Sequence, residues 1–255
     1  VESRFSKTEA IVLSSVRFGD GHKIINLFTE KFGKIEASAF GVRKTKSRFG
    51  GKLEPFTISY LVLYHKNEES PFSIREADVL FQDSGFSGEY RRYAVACSLV
   101  EPVLLFVPQG QVEDGLYRLL SDSIRVLCET PPEKSLYLLT MYDVQFLKLM
   151  GYAPDSYQCK KCGGKVSENA VGLDGYFGFP LCGDCMTRGG TAVCSGALRF
   201  IRWACDDPSS RPIALSRKVS MEESTLRNLR VVIEQLYLHT FHRKPQSWNQ
   251  LHAFH

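Results

Sequence analysis

The sequence predicts a multidomain α+β protein, with a β-barrel at the N-terminus and then an α-helical domain that carries an inserted four-cysteine module. Three observations predict it: period-two alternation up to about residue 80, helical spacing from Asp83 onward, and two CxxC pairs set between helical stretches. Dividing the chain where the period changes gives a barrel over residues 1–80, a helical domain over 81–157 and 188–255, and the cysteine module over 158–187. Of the 255 residues, 44% are hydrophobic and 24% charged, which supplies apolar material for packed cores. Collagen-like, mucin-like and wholly disordered classes are excluded.

Five strands are expected over residues 10–18, 23–29, 34–42, 55–64 and 72–81, each rich in β-branched and aromatic residues and bounded by turn signals. In the fourth, Phe56, Ile58, Tyr60, Val62 and Tyr64 share one face. Gly19-Asp20-Gly21 and the stretch around Gly33 supply the hairpin turns. Five antiparallel strands in so short a segment point to a small closed barrel, of the OB-fold type rather than the SH3-like one.

Helical spacing follows. Tyr90, Tyr93, Ala94, Cys97 and Val100 form one apolar stripe, Leu116, Leu119, Leu120, Ile124 and Leu127 a second, and Leu136, Leu139, Phe146, Leu147 and Met150 a third. Pro102, Pro108 and Pro131-Pro132 punctuate these helices, with Pro132 opening the third and Gly151 closing it. A short helix is expected over residues 195–205. The last helix starts at a capping box, Ser220-Met-Glu-Glu223, and continues through Leu226, Leu229, Ile233 and Leu236. Helices on both sides of the cysteine module are expected to pack as one bundle, because neither set alone has much core.

No run reaches the roughly 18 apolar residues that span a bilayer, since the stretch over 93–107 is broken by Glu101 and Pro102. The first residues, VESRFSKTEAIVL, lack the pattern of a secretory signal. Cys97, Cys128, Cys194 and Cys205 stand singly among apolar neighbours, as reduced thiols do. A reducing, cytoplasmic compartment is therefore expected, with no membrane partner.

The sharpest chemical signal is Cys159-Lys-Lys-Cys162 followed by Cys182-Gly-Asp-Cys185. Two CxxC knuckles allow four thiolates to converge tetrahedrally on one Zn²⁺, and glycines after the first pair permit the tight turn. The intervening residues read as strand and turn, so the module is expected to be a zinc ribbon with one structural Zn²⁺. Two disulfides and a redox CxxC are the alternatives, disfavoured by compartment and by the pairing of the two motifs. Lys160, Lys161 and Lys165 stand ready to offset the formal negative charge of the centre.

A second signal is the basic run from Lys31 to Lys52, which holds Lys31, Lys34, Arg43, Lys44, Lys46, Arg48 and Lys52 against the single acid Glu36. Phe40 and Phe49 are interleaved with the cations. Net charge is only +4, so a nucleic-acid role must come from such a local patch. Clustered cations bind phosphates and an aromatic in the same loop stacks on an unpaired base, which makes Lys34, Arg43, Lys44, Lys46, Arg48, Phe49 and Lys52 the candidate DNA-binding residues. A solvated surface loop is the plainer alternative, and for Phe49 a plug at the end of the barrel.

Catalytic patterns are missing. Pro180-Leu-Cys182 departs from the P-C-x-x-C of zinc deaminases, no histidine begins H-x-E, and there is no G-x-x-x-x-G-K-[ST] phosphate loop. A nucleic-acid-processing enzyme using barrel and ribbon as substrate clamps is the alternative to a non-enzymatic binder.

FGD, LFTEKFGK, GVRKTKSRF and LEPF follow one another within residues 18–56, ahead of helices, a CxxC…CxxC insertion and more helices. In this order the chain resembles the RecO family of bacterial recombination mediators over nearly its full length. The resemblance implies an N-terminal OB fold and an α-helical C-terminal domain with a zinc motif, whose four cysteines are intact here. It further implies binding of single- and double-stranded DNA and annealing of complementary strands. The implied partners are RecR, single-stranded-DNA-binding protein through its acidic C-terminal tail and, indirectly, RecA during loading for DNA repair. A nucleoid-associated, cytoplasmic location follows from the same resemblance.

Overall fold

The computed structural model describes residues 4–42, 49–67, 70–152, 158–166, 171–173, 180–186, 191–206 and 220–254. The chain folds as two compact units, one reaching Glu129 and the other running from Thr130 to Ala253.

Strands β1 (Phe5–Phe18), β2 (His22–Thr29), β3 (Gly33–Ala39), β4 (Ile58–Tyr64) and β5 (Phe72–Phe81) close into a barrel in the order β1-β2-β3-β5-β4. This is the OB-type arrangement expected from the sequence. The barrel closes because β1 is long enough to serve two partners, pairing with β4 from Phe5 to Ile11 and with β2 from Ala10 to Phe18. One pairing departs from expectation: β3 meets β5 in parallel, through Ala37 with Phe72 and Ser38 with Ser73. A contact this short leaves no alternation by which the sequence could announce it.

Ala10, Val12, Ile25, Leu27, Leu61, Leu63 and Ile74 fill the barrel. In β4 the core row is therefore the odd one, and Tyr60, Val62 and Tyr64 lie on the outside. Outer aromatics find local cover, since the Tyr64 ring lies 5.2 Å from Phe5 and carries the Arg75 guanidinium at 4.7 Å. The register of β1 against β2 shifts at Leu13, where Val12 faces Leu27 and Ser14 faces Asn26. Such a bulge leaves one residue unpaired and exchanges the two faces of the strand beyond it.

Helices α1 (Tyr90–Phe106) and α2 (Asp114–Glu129) belong to the barrel's unit rather than to the later helices. The division expected at residue 80 thus differs from the packing, for a physical reason: the barrel's outer row carries Ile11 and Phe28, which need cover. Tyr117 of α2 supplies part of it, its ring 6.0 Å from Phe28 and its hydroxyl donating to Glu9 at 3.5 Å. Farther along α2, the Arg125 guanidinium lies 5.0 Å from the Phe81 ring. Pro102 does not end α1 but is buried within it. The α1–α2 connection runs beside β3, with Gly110 N–H donating to Lys34 O at 2.9 Å. Gly33 is required at that crossing: its φ is +62°, and a Cβ there would collide with the backbone of Gln111.

In the second unit, α3 (Ser135–Leu149) is surrounded, with every residue from Ser135 to Leu147 except Tyr137 buried. Helices α4 (Ser195–Asp206) and α5 (Glu223–Phe241) pack on it, which realises the expected bundle across the cysteine module, though without α1 and α2. Gly151, at φ +81°, closes α3 as expected: its N–H donates to Lys148 O and that of Tyr152 to Leu147 O, the two bonds of a Schellman turn. The capping box does not form, because α5 begins at Glu223 with Glu222 at the cap and no side-chain cap bond. Asp143 is fully buried in α3, paired with Arg230 of α5 at 2.5 Å and accepting from the Tyr237 hydroxyl at 3.3 Å. Burial lifts its carboxyl to about 6, against the pull of Arg230 and Tyr237.

Candidate nucleic-acid interface and metal centre

The four module cysteines converge. Cys159 lies just before a tight turn in which Gly163 N–H donates to Cys159 O at 2.8 Å, with Gly163 at φ +71°. Cys182 ends β7 (Pro180–Cys182), and the turn after it is closed by Cys185 N–H and Met186 N–H on Cys182 O, both at 3.0 Å. A bond from Lys160 N–H to Pro180 O at 3.1 Å ties the two knuckles together. Strand β6 (Val171–Leu173) joins β7 to β8 (Thr191–Val193) in a three-stranded sheet.

All four Sγ atoms lie within 4.8 Å of one another, and Cys162 and Cys182 are 3.7 Å apart. Zinc–thiolate bonds of about 2.3 Å in a regular tetrahedron require sulfur–sulfur distances of about 3.8 Å. The donor set and its spacing therefore fit a tetrahedral metal ion with no position left for substrate. Backbone N–H groups, that of Cys182 foremost and then those of Cys162 and Lys161, draw the Cys159 thiol down to about 6. The neighbouring Cys182 and Cys162 thiols push Cys185 up to about 12, the mutual penalty of crowded sulfurs that a cation between them removes. Lys160, Lys161 and Lys165 are exposed around the centre. The Arg202 guanidinium of α4 donates to Val166 O at 3.0 Å, and Asn228 of α5 donates to Ala192 O at 2.8 Å, so the module is tied to the helices of its own unit.

Of the candidate DNA-binding residues, Lys34, Phe49 and Lys52 are among those the structure describes. Arg43, Lys44, Lys46 and Arg48 lie outside the described residues. Lys34 is only 7% exposed, and its ammonium donates to Leu104 O at 2.7 Å and to Val103 O at 3.4 Å, at the C-terminal end of α1. The ammonium charge is met there by the helix carbonyls. Phe49 is 1% exposed and packs in the barrel core. Lys52 is half-exposed, with its ammonium on Ala77 O at 2.8 Å and 3.7 Å from Asp78.

The LEPF motif holds a cleft of about 760 Å³, lined by Phe56, Phe86 and Tyr93 with Glu54 and Asp83. Phe56 adopts φ +69°, its ring 5.2 Å from Phe86 and 5.7 Å from Tyr93. The two carboxylates make this cleft a poor seat for phosphate. Sequence reasoning gave little weight to Phe18 and Phe40, yet both stand exposed on the barrel surface. The available signal was Phe18 ending a strand just before Gly19-Asp20-Gly21.

Two family models match in series, "Recombination protein O N terminal" over residues 4–82 and "Recombination protein O C terminal" over residues 87–249. The two matches meet between residues 82 and 87, while the packing unit continues to Glu129. The chain is 31% identical over 180 residues to the DNA repair protein RecO of Geobacter metallireducens, covering 71% of this chain and 72% of the relative. To the protein of that name from Caldanaerobacter subterraneus it is 30% identical over 182 residues, 71% and 72% of the two. To that from Thermoanaerobacter sp. it is 27% identical over 185 residues, 72% and 73%.

Proposed function

The chain belongs to the RecO family of DNA repair proteins, and on that premise we propose that it is a non-enzymatic recombination mediator. It binds single- and double-stranded DNA, anneals complementary strands and, with RecR, helps load RecA onto single strands coated by their binding protein. The observation that carries this reading is the OB-type barrel with a segment holding Arg43, Lys44, Lys46 and Arg48 between β3 and β4. Cations there engage phosphates, and shielding the repulsion between two backbones brings complementary strands together without hydrolysis of ATP. The helical unit receives the acidic tail of the single-stranded-DNA-binding protein, and the protein acts in the cytoplasm at the nucleoid.

Cys159, Cys162, Cys182 and Cys185 hold one Zn²⁺ in this reading, which when bound supplies a structural cross-link and no reactive position. The chain's own contribution is to aim backbone N–H groups at the Cys159 sulfur and to join the two knuckles through Lys160 and Pro180.

Changing Arg43, Lys44, Lys46 and Arg48 together to Ala tests the reading. Affinity should fall nearly equally for unrelated DNA sequences, and the slope of log affinity against log salt on single strands should flatten by roughly 3. Unchanged affinity and annealing in the folded variant would remove the loop from the mechanism. Reproducible Mg²⁺-dependent nicking by purified protein would favour the enzyme instead.

A further inference from the structure

We infer that the cleft at the LEPF motif is a socket for an arginine side chain presented by a protein partner, a site independent of the DNA-binding reading above. Its floor is apolar, since Phe56 and Phe86 are both buried, and Tyr93 of α1 forms a wall that is 44% exposed. The Phe56 ring plane meets that of Phe86 at 58° and that of Tyr93 at 77°. Rings set at such angles enclose a corner, where a flat base would need a parallel slot. An aromatic corner attracts a compact cation, while the methylene stem behind the charge covers the apolar floor. The φ of +69° at Phe56 is costly for a residue with a Cβ, and two bonds enforce it: Phe56 N–H to Val12 O and Val12 N–H to Thr57 O, both at 2.9 Å. Strain that the surroundings hold in place, aiming a ring into a cavity, is characteristic of binding sites.

Charge decides the sign of the occupant. Among the described residues, the charged groups lining the cleft are the carboxylates of Glu54 and Asp83. Asp83 accepts from Gly85 N–H at 2.8 Å, and that bond foremost, followed by the Cys128 thiol, holds its carboxyl below the ordinary value. Three cations stand near without lining the cleft. Lys23 pairs with Glu54 Oε1 at 2.9 Å, Arg92 draws on Asp83 and lies 3.9 Å from Glu89, and Lys52 reaches Ala77 O and Asp78. An incoming cation therefore meets the two acids directly, whereas an acidic peptide is repelled by them. A planar guanidinium suits the site better than an ammonium, because it stacks on a ring while its edge donates to a carboxylate. The mouth favours a protein over a free amine: Tyr90, one turn before Tyr93 on the same face of α1, is 60% exposed and extends the apolar surface outward. The chain flanking an arginine covers that surface, and a diamine leaves it bare.

The test titrates the full chain with a capped Gly-Gly-Arg-Gly-Gly peptide, with the same peptide carrying neutral citrulline for arginine, and with putrescine, reading backbone amide chemical shifts. The arginine peptide should shift Phe56, Phe86 and Tyr93 and should bind roughly 10-fold tighter than the citrulline peptide. Glu54→Gln combined with Asp83→Asn, which keeps an acceptor for Gly85 N–H, should abolish that preference with the unfolding midpoint unchanged. Tyr93→Ala should weaken the arginine peptide, and Tyr93→Phe should not. Equal affinity for the citrulline peptide, or no shift at the three aromatic residues, overturns the socket. Putrescine binding as tightly as the arginine peptide overturns the protein occupant in favour of a free amine, and displacement of the peptide by an oligothymidylate overturns it in favour of nucleic acid. The citrulline comparison is made on the unaltered chain, so it decides the matter even where a substitution unfolds the protein.

Discussion

The ammonium of Lys34 lies 2.7 Å from the carbonyl oxygen of Leu104, so a lysine from the basic run serves as the charged end-piece of a helix. β3 and α1 are joined there by a side chain that the sequence alone would assign to a ligand. A cation at a helix C-terminus meets the negative end of the macrodipole as well as unpaired carbonyls.

Lys34→Met should accordingly lower stability by about 1.5–3 kcal/mol, the worth of a hydrogen bond to a charged group. The salt dependence of DNA binding should stay as it is. Urea unfolding and a salt titration on the same preparation check both halves, and intact stability with a flattened slope would return Lys34 to the DNA.

Phe49→Ala removes a ring from the barrel core. The expected loss is about 3–5 kcal/mol, and any weakening of DNA binding should be equal for single strands and duplexes. A selective loss on single strands, in a variant with an unchanged urea midpoint, would place the ring on the DNA after all.

Metal content should be one zinc per chain in protein purified without chelator. Cys182→Ser should lower it and open the module to proteases between residues 158 and 194, since structural zinc in small modules contributes about 10–16 kcal/mol at neutral pH. Elemental analysis and limited proteolysis read the two outcomes, and metal-free protein from a chelator-free preparation would defeat the assignment.

Asp143 gives a pH dependence whose sign runs against the usual carboxylate. Its folded pKa, about 6, lies above the ordinary value of 3.8, so the folded chain holds a proton that the unfolded chain has released. Stability from this group is present below pH about 4 and is lost as pH rises to about 6. The stability difference between the unaltered chain and Asp143→Asn should therefore shrink across that window, by about 3 kcal/mol. A flat difference curve would mean that Arg230 holds the carboxyl ionised throughout.

Much of this was legible in the sequence because it is local. Alternation located the barrel strands, Gly151 the end of α3, and the paired CxxC spacing the convergence of four sulfurs. Periodicity shows that a face is apolar without showing what covers it. Hence α1 and α2 were expected to lie with the later helices, and Tyr117 gave no sign of its place on Phe28. The fates of Lys34 and Phe49 were hidden for the same reason, since a basic run with aromatics looks alike whether its members point to solvent, to a helix end or into a core. Ser220 and Glu223 matched a cap by spacing, yet the backbone enters α5 later, at Glu222.

The unpaired Leu13 in β1 works as a phase shift. Before it the even residues Ala10 and Val12 point inward, and after it the even residues Val16 and Phe18 point outward. One strand thereby delivers apolar side chains to the barrel interior and then to its surface without any change in its alternating text. Removing Leu13 would restore a single phase, turning Val16 and Phe18 toward the interior and presenting Ser15 and Arg17 outside. Whether the barrel's surface is aromatic or polar is thus decided by the count of residues ahead of it, so that a one-codon deletion, with every aromatic still encoded, would erase the surface.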